Sequence, residues 1–152
     1  AKAYSMTGWR IGFMAAPLPI AKAISAIQSH STSNPTSFAQ SGAVEALDGP
    51  QDHLDEWLGH FSQRRSFACE KLNAIKGVSC VNSEGAFYLF PNISGTGMKS
   101  VEFCERLLAE VKVAAVPGIA FGSDDYIRIS YATSMENLQQ ALGRVESFVG
   151  SL

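Results

Sequence analysis

One long run of helical periodicity constrains the fold of this chain more than any other feature. Between Gln51 and Ile75 a single stripe recurs at helical spacing and is interrupted only by one arginine; it comprises Leu54, Trp57, Leu58, Phe61, Arg65, Ala68, Leu72 and Ile75. The turn Asp48-Gly49-Pro50 precedes it and Lys76-Gly77 follows it, which predicts both ends of the helix. Because a helix of this length usually connects two bodies, we expect separate parts of the chain on either side.

The residues before this helix predict a strand and two helices. Ile11 to Ala16 is typical of a buried strand, and Pro17-Leu18-Pro19 then begins a helix. The apolar positions of that first helix are Ile20, Ala23, Ile24 and Ile27. A second helix is predicted over Thr36 to Leu47, where small residues indicate close packing.

The residues after it alternate strands with amphipathic helices. The strand-like segments are Val78 to Val81, Ala86 to Phe90, Val113 to Val116 and Tyr126 to Tyr131. Ser100 is predicted to cap one helix, whose inner face comprises Cys104, Leu107, Leu108 and Val111. A capping box at Thr133 and Glu136 predicts the start of another helix, and Gly150 predicts its end. The inner face of this helix comprises Leu138, Leu142, Val145 and Val149. This order favours an α/β or α+β layer with helices on one face.

Composition excludes several classes of protein. The chain has 152 residues, of which 46% are hydrophobic and 17% charged, with a formal net charge of -2. These values are typical of a globular protein and argue against a nucleic-acid partner. The one basic cluster, Arg64-Arg65, is interpreted as the solvated face of a helix. No apolar run approaches the roughly 20 residues that a membrane span needs, so no membrane partner is expected.

The cysteines and histidines give no sign of a metal site. Three cysteines, Cys69, Cys80 and Cys104, lack metal or redox spacing, which fits reduced thiols in a reducing, cytoplasmic compartment. The histidines show no ligand spacing beyond two on one helix.

The first ten residues hold the first candidate site. Lys2 and Arg10 flank a turn of small residues that includes Gly8. A lysine amine condenses with a carbonyl to give a Schiff base, and a guanidinium binds a phosphate through two parallel hydrogen bonds. The pair therefore suits a cofactor that carries an aldehyde and a phosphate.

A second candidate site is the alternating segment from Tyr126 to Ala132. It carries Arg128 among apolar neighbours, where an arginine is costly unless it meets an anion.

Together these segments resemble class I pyridoxal-phosphate aminotransferases of the aspartate aminotransferase type. The first matches the family pattern Lys-x-x-x-Met-Thr-Gly-Trp-Arg-x-Gly, and the second matches Arg-x-Ser-Tyr-Ala-Thr, with Gly85-Ala86-Phe87-Tyr88 and Val116-Pro117-Gly118 between them. The resemblance implies that Lys2 is the catalytic lysine that binds pyridoxal 5′-phosphate, in a buried position beside other cations. It also implies that Arg10 holds the cofactor phosphate and that Arg128 binds the α-carboxylate of the substrate.

The resemblance also predicts the organisation of the chain. Residues 1–50 would end the large cofactor-binding domain, 51–76 would form the connecting helix, and 77–152 would form the small α/β domain of a fold-type I aminotransferase. The parent would transfer an amino group from an amino acid to a 2-oxo acid and act as a homodimer. Ser33-Asn34-Pro35 matches a loop that lies near the dimer interface in such enzymes, although an ordinary Asn-Pro turn explains it equally well.

The family's remaining cofactor contacts precede the lysine in its pattern. The aspartate for the pyridine nitrogen, the stacking aromatic, and the asparagine and tyrosine for the ring oxygen are therefore not expected among these residues. We interpret the chain as the C-terminal piece of a longer enzyme and expect it to be inactive alone. The arginine that one subgroup uses for dicarboxylic substrates has no counterpart at Gln28-Ser29-His30, so the substrate remains open.

Two other functions are compatible with the sequence. The capped helices favour a non-catalytic small domain that folds by itself. A lyase or decarboxylase of the same cofactor superfamily would keep the fold and change the reaction, although the two arginine motifs favour transamination.

Overall fold

The computed structural model describes all residues from 1 to 152 and contains five helices and one small sheet. The helices are α1 (Leu18–Ser31), α2 (Ser37–Asp48), α3 (Asp52–Ala74), α4 (Ser100–Val111) and α5 (Met135–Gly150), and the strands are β1 (Tyr88–Leu89), β2 (Val116–Pro117) and β3 (Ile127–Ser130). Short 3₁₀ helices lie at Thr7–Trp9, Ser94–Thr96 and Gly118–Phe121. The chain forms two compact units, Ala1–Trp57 and Leu58–Leu152, and the boundary between them falls within α3.

The first unit exposes most of its apolar residues. Helix α1 buries none of its residues and α2 buries only Ala39. The predicted helices are confirmed, but the apolar stripe of α1 is solvent-exposed, with Ile27 at 69%.

The buried strand predicted over Ile11 to Ala16 is absent. The segment has no regular secondary structure, and Phe13 is 86% exposed. An extended segment becomes a strand only when a neighbouring strand completes its hydrogen bonds. None of the strands in this structure pairs with it.

The second unit has a continuous hydrophobic core. Three antiparallel strands in the order β1-β3-β2 pack with α4, α5 and the second half of α3. At its centre Phe103 of α4 meets Phe148 of α5 edge to face, with ring centroids 5.2 Å apart. Other core residues that are at most 2% exposed are Ala68, Leu72, Leu89, Ile93, Leu107, Ile127, Tyr131, Leu138, Leu142 and Val145.

The inner face of α4 differs from the prediction at one position. Cys104 and Leu107 are buried, whereas Leu108 is 52% exposed and Phe103 takes its place in the core. The helix begins at Ser100 itself, so this residue cannot cap it from outside. The Ser100 hydroxyl instead donates a hydrogen bond of 2.6 Å to the carboxylate of Asp124.

Two further local predictions also change. The cap of α5 is Ser134 rather than Thr133, because the Ser134 hydroxyl accepts a hydrogen bond of 3.1 Å from the backbone N–H of Asn137. The predicted strand at Val78 to Val81 is reduced to one bridge between Ser79 and Asn92.

No helix in the structure combines the length and the apolar character that crossing a membrane requires.

Candidate active site

The first ten residues form a compact turn that positions Lys2 and Arg10. The N–H of Ser5 donates to the carbonyl of Lys2 at 3.1 Å, and the N–H of Met6 donates to that of Ala1 at 2.7 Å. Ser5 and Arg10 both have positive φ angles, 52° and 53°. Non-glycine residues rarely adopt this conformation, and where they do it often accompanies a functional site.

Trp9 fixes this turn against α2. Its ring lies edge-on to that of Phe38, with centroids 6.3 Å apart. A Cβ atom at Gly42 would overlap the Trp9 ring, so the glycine is needed for this close approach. Trp9 therefore acts in packing.

Lys2 and Arg10 line one surface pocket of about 350 Å³ together with Ala1, Thr7, Ile11 and Gly12. The Arg10 guanidinium donates a hydrogen bond of 3.0 Å to the carbonyl of Thr7, which holds it at the pocket. Both side chains are exposed. The burial expected for Lys2 is therefore not met in this structure, because the turn that carries it lies on the surface of its unit.

A second pocket lies beside the first and was not predicted. It has a volume of about 340 Å³ and is lined mainly by apolar residues of the turn and of α2, among them Met6, Ile11, Phe13, Val44 and Leu47. Sequence alone gave no signal for it, because its walls come from segments that only the fold brings together.

Arg128 belongs to the second unit and lies on the central strand β3. Ile127 and Ile129 alternate with it and are buried, so Arg128 shares the opposite face of the strand with Ser130. Its guanidinium carbon lies over two aromatic rings, 4.4 Å from the centroid of Tyr88 and 4.6 Å from that of Phe121. The side chain forms no ion pair within the chain.

The sequence analysis did not identify Tyr88 and Phe121 as site residues. Tyr88 is part of the Gly85-Ala86-Phe87-Tyr88 motif, and Phe121 follows Val116-Pro117-Gly118. The sequence marked both motifs without indicating that their rings meet Arg128. The strand register supplies that information for Tyr88, which lies opposite Ser130. Phe121 lies outside the strands, in the 3₁₀ helix that follows β2, so only the folded structure shows its contact with Arg128.

Tyr131 holds the segment that leads into Tyr88. Its N–H donates to the carbonyl of Phe87 at 3.0 Å, and its hydroxyl donates to that of Ala86 at 2.8 Å. Ala86 has a positive φ of 61°. Burial raises the pKa of the Tyr131 hydroxyl above its ordinary value, so it stays a donor.

Buried polar contacts fix the short helix that carries Phe121. Ser100 is fully buried, and its hydroxyl accepts a hydrogen bond of 3.2 Å from the N–H of Ile119. The N–H of Gly118 donates to the carbonyl of Tyr126 at 2.8 Å. A Cβ atom at Gly118 would overlap the carbonyls of Tyr126 and Ser123, so only glycine fits there.

The Ser33-Asn34-Pro35 loop is held within the first unit. Ser33 has a φ of 62°, and the side-chain amide of Gln40 donates to the carbonyl of Pro35 at 2.8 Å. These contacts describe an ordered turn between α1 and α2, and a role at a dimer interface stays a prediction.

Arg65 differs from the solvated residue that the sequence suggested. It is half-buried and donates a hydrogen bond of 3.0 Å to the carbonyl of Ser83. Its Nε atom is buried without a hydrogen-bond partner. The position of Arg65 on the apolar stripe of α3 explains this, since the stripe faces the core.

The three cysteines are free and buried. The Cys69 thiol lies 3.5 Å from the carbonyl of Cys80, and the Asn73 side chain links the two residues by hydrogen bonds to both carbonyls. Burial raises the pKa of Cys80 to about 12 and that of Cys104 to about 11. No group of three or more His, Cys, Asp or Glu side chains lies close enough together to hold a metal ion.

Known proteins similar to this chain are aminotransferases. An aspartate aminotransferase of Bacillus subtilis is 50% identical over 97% of this chain and 39% of its own length. The crystal structure of the aspartate aminotransferase from Rhizobium meliloti matches with a TM-score of 0.93 and 43% identity, over 97% of this chain and 40% of that chain. The crystal structure of an aromatic aminotransferase from Pyrococcus horikoshii matches with a TM-score of 0.92 and 38% identity, over 98% of this chain and 41% of that chain.

The chain thus spans about two-fifths of the length of these relatives. Their folds and the combination of helices with a small sheet confirm the predicted α/β class. The family model described as "Aminotransferase class I and II" matches residues 1–145. With nearly the whole chain matched, the protein belongs to the class I and II aminotransferase family.

Proposed function

We propose that this chain supplies Lys2, Arg10 and Arg128 to an aspartate aminotransferase-like enzyme. The reaction would transfer an amino group from an amino acid to a 2-oxo acid with pyridoxal 5′-phosphate as cofactor. One observation carries the proposal: Lys2 and Arg10 line the same pocket of about 350 Å³. An amine and a guanidinium in one pocket suit a ligand that carries both an aldehyde and a phosphate.

The residues of this pocket fit the cofactor chemically. Arg10 supplies a permanent positive charge and planar donors for a phosphate, while the turn brings Lys2 to the same pocket. When bound, the cofactor supplies an aldehyde and a conjugated ring that draws electron density from the carbon losing its proton.

The role proposed for Lys2 is to hold the cofactor and to move protons. Its Nζ atom accepts a proton when it is neutral and donates one when it is charged, so a single group can serve in both directions of a transfer. Arg10 would keep the cofactor in one orientation, because two parallel hydrogen bonds to a phosphate define position as well as affinity.

Arg128 is proposed to bind the α-carboxylate of the substrate. It carries a positive charge that no acidic side chain of the chain neutralises by an ion pair. A planar guanidinium is the group best matched to a carboxylate with two oxygens.

The proposal extends to the organisation of the chain. Residues 1–50 would belong to the large domain, 51–76 to the connecting helix and 77–152 to the small domain. Because the chain spans about two-fifths of its relatives, we expect no transamination by the chain alone. A homodimer and a cytoplasmic location complete the proposal, the latter supported by the three free cysteines. The relatives are named for aspartate and for aromatic substrates, and both substrate classes remain compatible.

Reductive trapping tests the cofactor site in the chain itself. The chain is incubated with pyridoxal 5′-phosphate, treated with borohydride and digested, and the modified peptide is identified by mass. We expect Lys2 to be the main labelled residue, excess inorganic phosphate to reduce the labelling, and Arg10→Ala to reduce it further.

The matched control is Lys22→Arg, which removes an exposed lysine of α1 in the same unit. This variant should label at Lys2 as strongly as the unaltered chain. Labelling that spreads evenly over the exposed lysines, or that phosphate does not reduce, would contradict a cofactor site at Lys2 and Arg10 in this chain.

A further inference from the structure

The starting point is the environment of Arg128, whose proposed role this inference extends. An unpaired arginine side chain on a strand has many rotamers, and binding a carboxylate would require it to lose most of them. Arg128 is half-buried, and its guanidinium lies over two aromatic rings and forms no ion pair within the chain.

Two rings from different elements meet this guanidinium. Tyr88 comes from β1 and is a diagonal neighbour of Arg128 on the same face of the sheet, because it lies opposite Ser130. Diagonal neighbours are within reach of long and aromatic side chains. Phe121 comes from the 3₁₀ helix that follows β2, the strand on the other side of β3.

Both rings are themselves held in place. The Tyr131 hydroxyl fixes the Ala86 carbonyl two residues before Tyr88, at 2.8 Å. The Phe121 ring contacts Phe90 edge to face, with centroids 6.0 Å apart, while its helix is tied to the buried Ser100 through Ile119.

Phe121 is nevertheless 49% exposed. A large apolar ring kept at the surface by a buried polar network suggests a role other than filling the core. Attraction to a cation through the ring face is a function that an exposed ring can perform. It also leaves the N–H donors of the guanidinium available, because the rings accept no conventional hydrogen bond.

We propose that Tyr88 and Phe121 are positioning residues, which hold the Arg128 guanidinium ready for the substrate carboxylate. They reduce the rotamer freedom that Arg128 would otherwise lose on binding, and they do so without neutralising its charge. An acidic partner would also fix the side chain, but it would compete with the substrate for the same donors.

The test measures carboxylate binding by the chain itself, with succinate as the probe. In the ¹⁵N-labelled chain the Nε–Hε signal of Arg128 is assigned by its loss in Arg128→Lys, and succinate is then titrated. Phe121→Leu and Tyr88→Leu should each move this signal in the free chain, since nearby rings shift it. Each should also weaken succinate binding about two- to tenfold, the cost of ordering one rotamer-rich side chain.

The conservative variants separate positioning from a structural role. Phe121→Tyr and Tyr88→Phe keep a ring at each position and should bind succinate like the unaltered chain. If the leucine variants lower the melting temperature but leave the affinity for succinate unchanged, the rings are only structural and the inference is overturned.

The role of Arg128 is tested separately. If Arg128→Ala binds succinate as well as the unaltered chain, or if the unaltered chain does not shift the Arg128 signal with succinate, the carboxylate site fails and the positioning role fails with it. If Arg128→Ala abolishes binding while all ring variants bind normally, the carboxylate site stands and only the positioning role is overturned.

Discussion

The two units of this chain place their apolar residues in opposite ways. In Ala1–Trp57, large side chains such as Phe13, Leu18 and Ile27 are between 66% and 86% exposed. In Leu58–Leu152, side chains of similar size, such as Phe103 and Phe148, are at most 1% exposed. Both units contain helices with apolar residues at helical spacing, although α4 and α5 separate their apolar and polar faces more strongly than α1 and α2 do.

The difference shows that helical periodicity predicts a helix but not a core. A helix or sheet buries its apolar face only against a second layer. The second unit provides that layer, because α4 and α5 pack on a sheet whose central strand alternates buried isoleucines with polar residues. The first unit has no sheet within its own residues.

The proposed site residues follow the same division. Lys2 and Arg10 lie in the unit with little core, on an exposed turn, whereas Arg128 lies on the central strand of the unit with a continuous core. Arg128 is therefore supported by packed rings, while the turn of Lys2 depends mainly on its own backbone hydrogen bonds and on Trp9.

Removing one phenylalanine from each unit tests this difference in core burial most directly. Phe103→Ala leaves a cavity in the core, so we expect it to lower the free energy of unfolding of the second unit by about 3–5 kcal/mol. Phe13→Ala removes a side chain that is 86% exposed, and it should change the free energy of unfolding by less than about 0.5 kcal/mol. Urea unfolding followed by far-ultraviolet circular dichroism measures both.

Tryptophan fluorescence adds a control to this experiment, because Trp9 and Trp57 are the only tryptophans and both lie in the first unit. Phe103→Ala should shift the dichroism transition more than the fluorescence transition. If Phe13→Ala destabilises the chain as much as Phe103→Ala, the first unit has a core in solution and the comparison is wrong.

Alkaline pH should affect the second unit selectively, since all three cysteines lie there. Burial raises the pKa of Cys80 from 9.0 to about 12 and that of Cys104 from 9.0 to about 11. Between pH 9 and these raised pKa values, the two thiols keep their protons in the folded chain and lose them in the unfolded chain. The free energy of unfolding therefore falls as the pH rises above 9. Below that value these thiols should make no pH-dependent contribution.

The measurement is urea unfolding at a series of pH values, compared with Cys104→Ala. This variant should show a smaller loss of stability between pH 9 and about 11 than the unaltered chain, because it lacks one of the shifted thiols. Rapid alkylation of Cys80 by iodoacetamide at neutral pH would contradict the raised pKa.

The helix caps give the smallest expected effect. Ser134 accepts a hydrogen bond from the Asn137 N–H at the start of α5, so Ser134→Ala should cost about 1 kcal/mol. Thr36 occupies the same position before α2, but its side chain forms no such hydrogen bond. Thr36→Ala should therefore lower the free energy of unfolding by only a few tenths of a kcal/mol, less than the loss expected for Ser134→Ala. Equal losses in thermal unfolding for the two variants would show that Thr36 also caps its helix in solution.

Much of the secondary structure could be predicted from the sequence. The long helix was predicted over Gln51 to Ile75 and is observed as Asp52–Ala74. Strand predictions were less accurate, because a strand requires a partner. Ile11 to Ala16 has none, and Val78 to Val81 forms only one bridge.

Within the candidate site, the sequence identified the charged residues but not their surroundings. Lys2, Arg10 and Arg128 stood out through motifs, and their roles remain predictions. Tyr88 reaches Arg128 across the sheet from β1, and Phe121 reaches it from the 3₁₀ helix Gly118–Phe121 that follows β2, so only the folded structure reveals these two contacts. Arg65 was interpreted as solvated, yet the structure places it in a half-buried position.

The sequence alone therefore predicted the family and the helices and gave the residues proposed to carry the chemistry, because periodicity, caps and motifs are properties of neighbouring residues. The folded structure was needed to show which apolar faces are buried, which cysteines lie close together and which rings contact Arg128. Burial and side-chain contact depend on layers that come from distant parts of the chain. Apolar residues at helical spacing are consequently exposed in α1 and buried in α5.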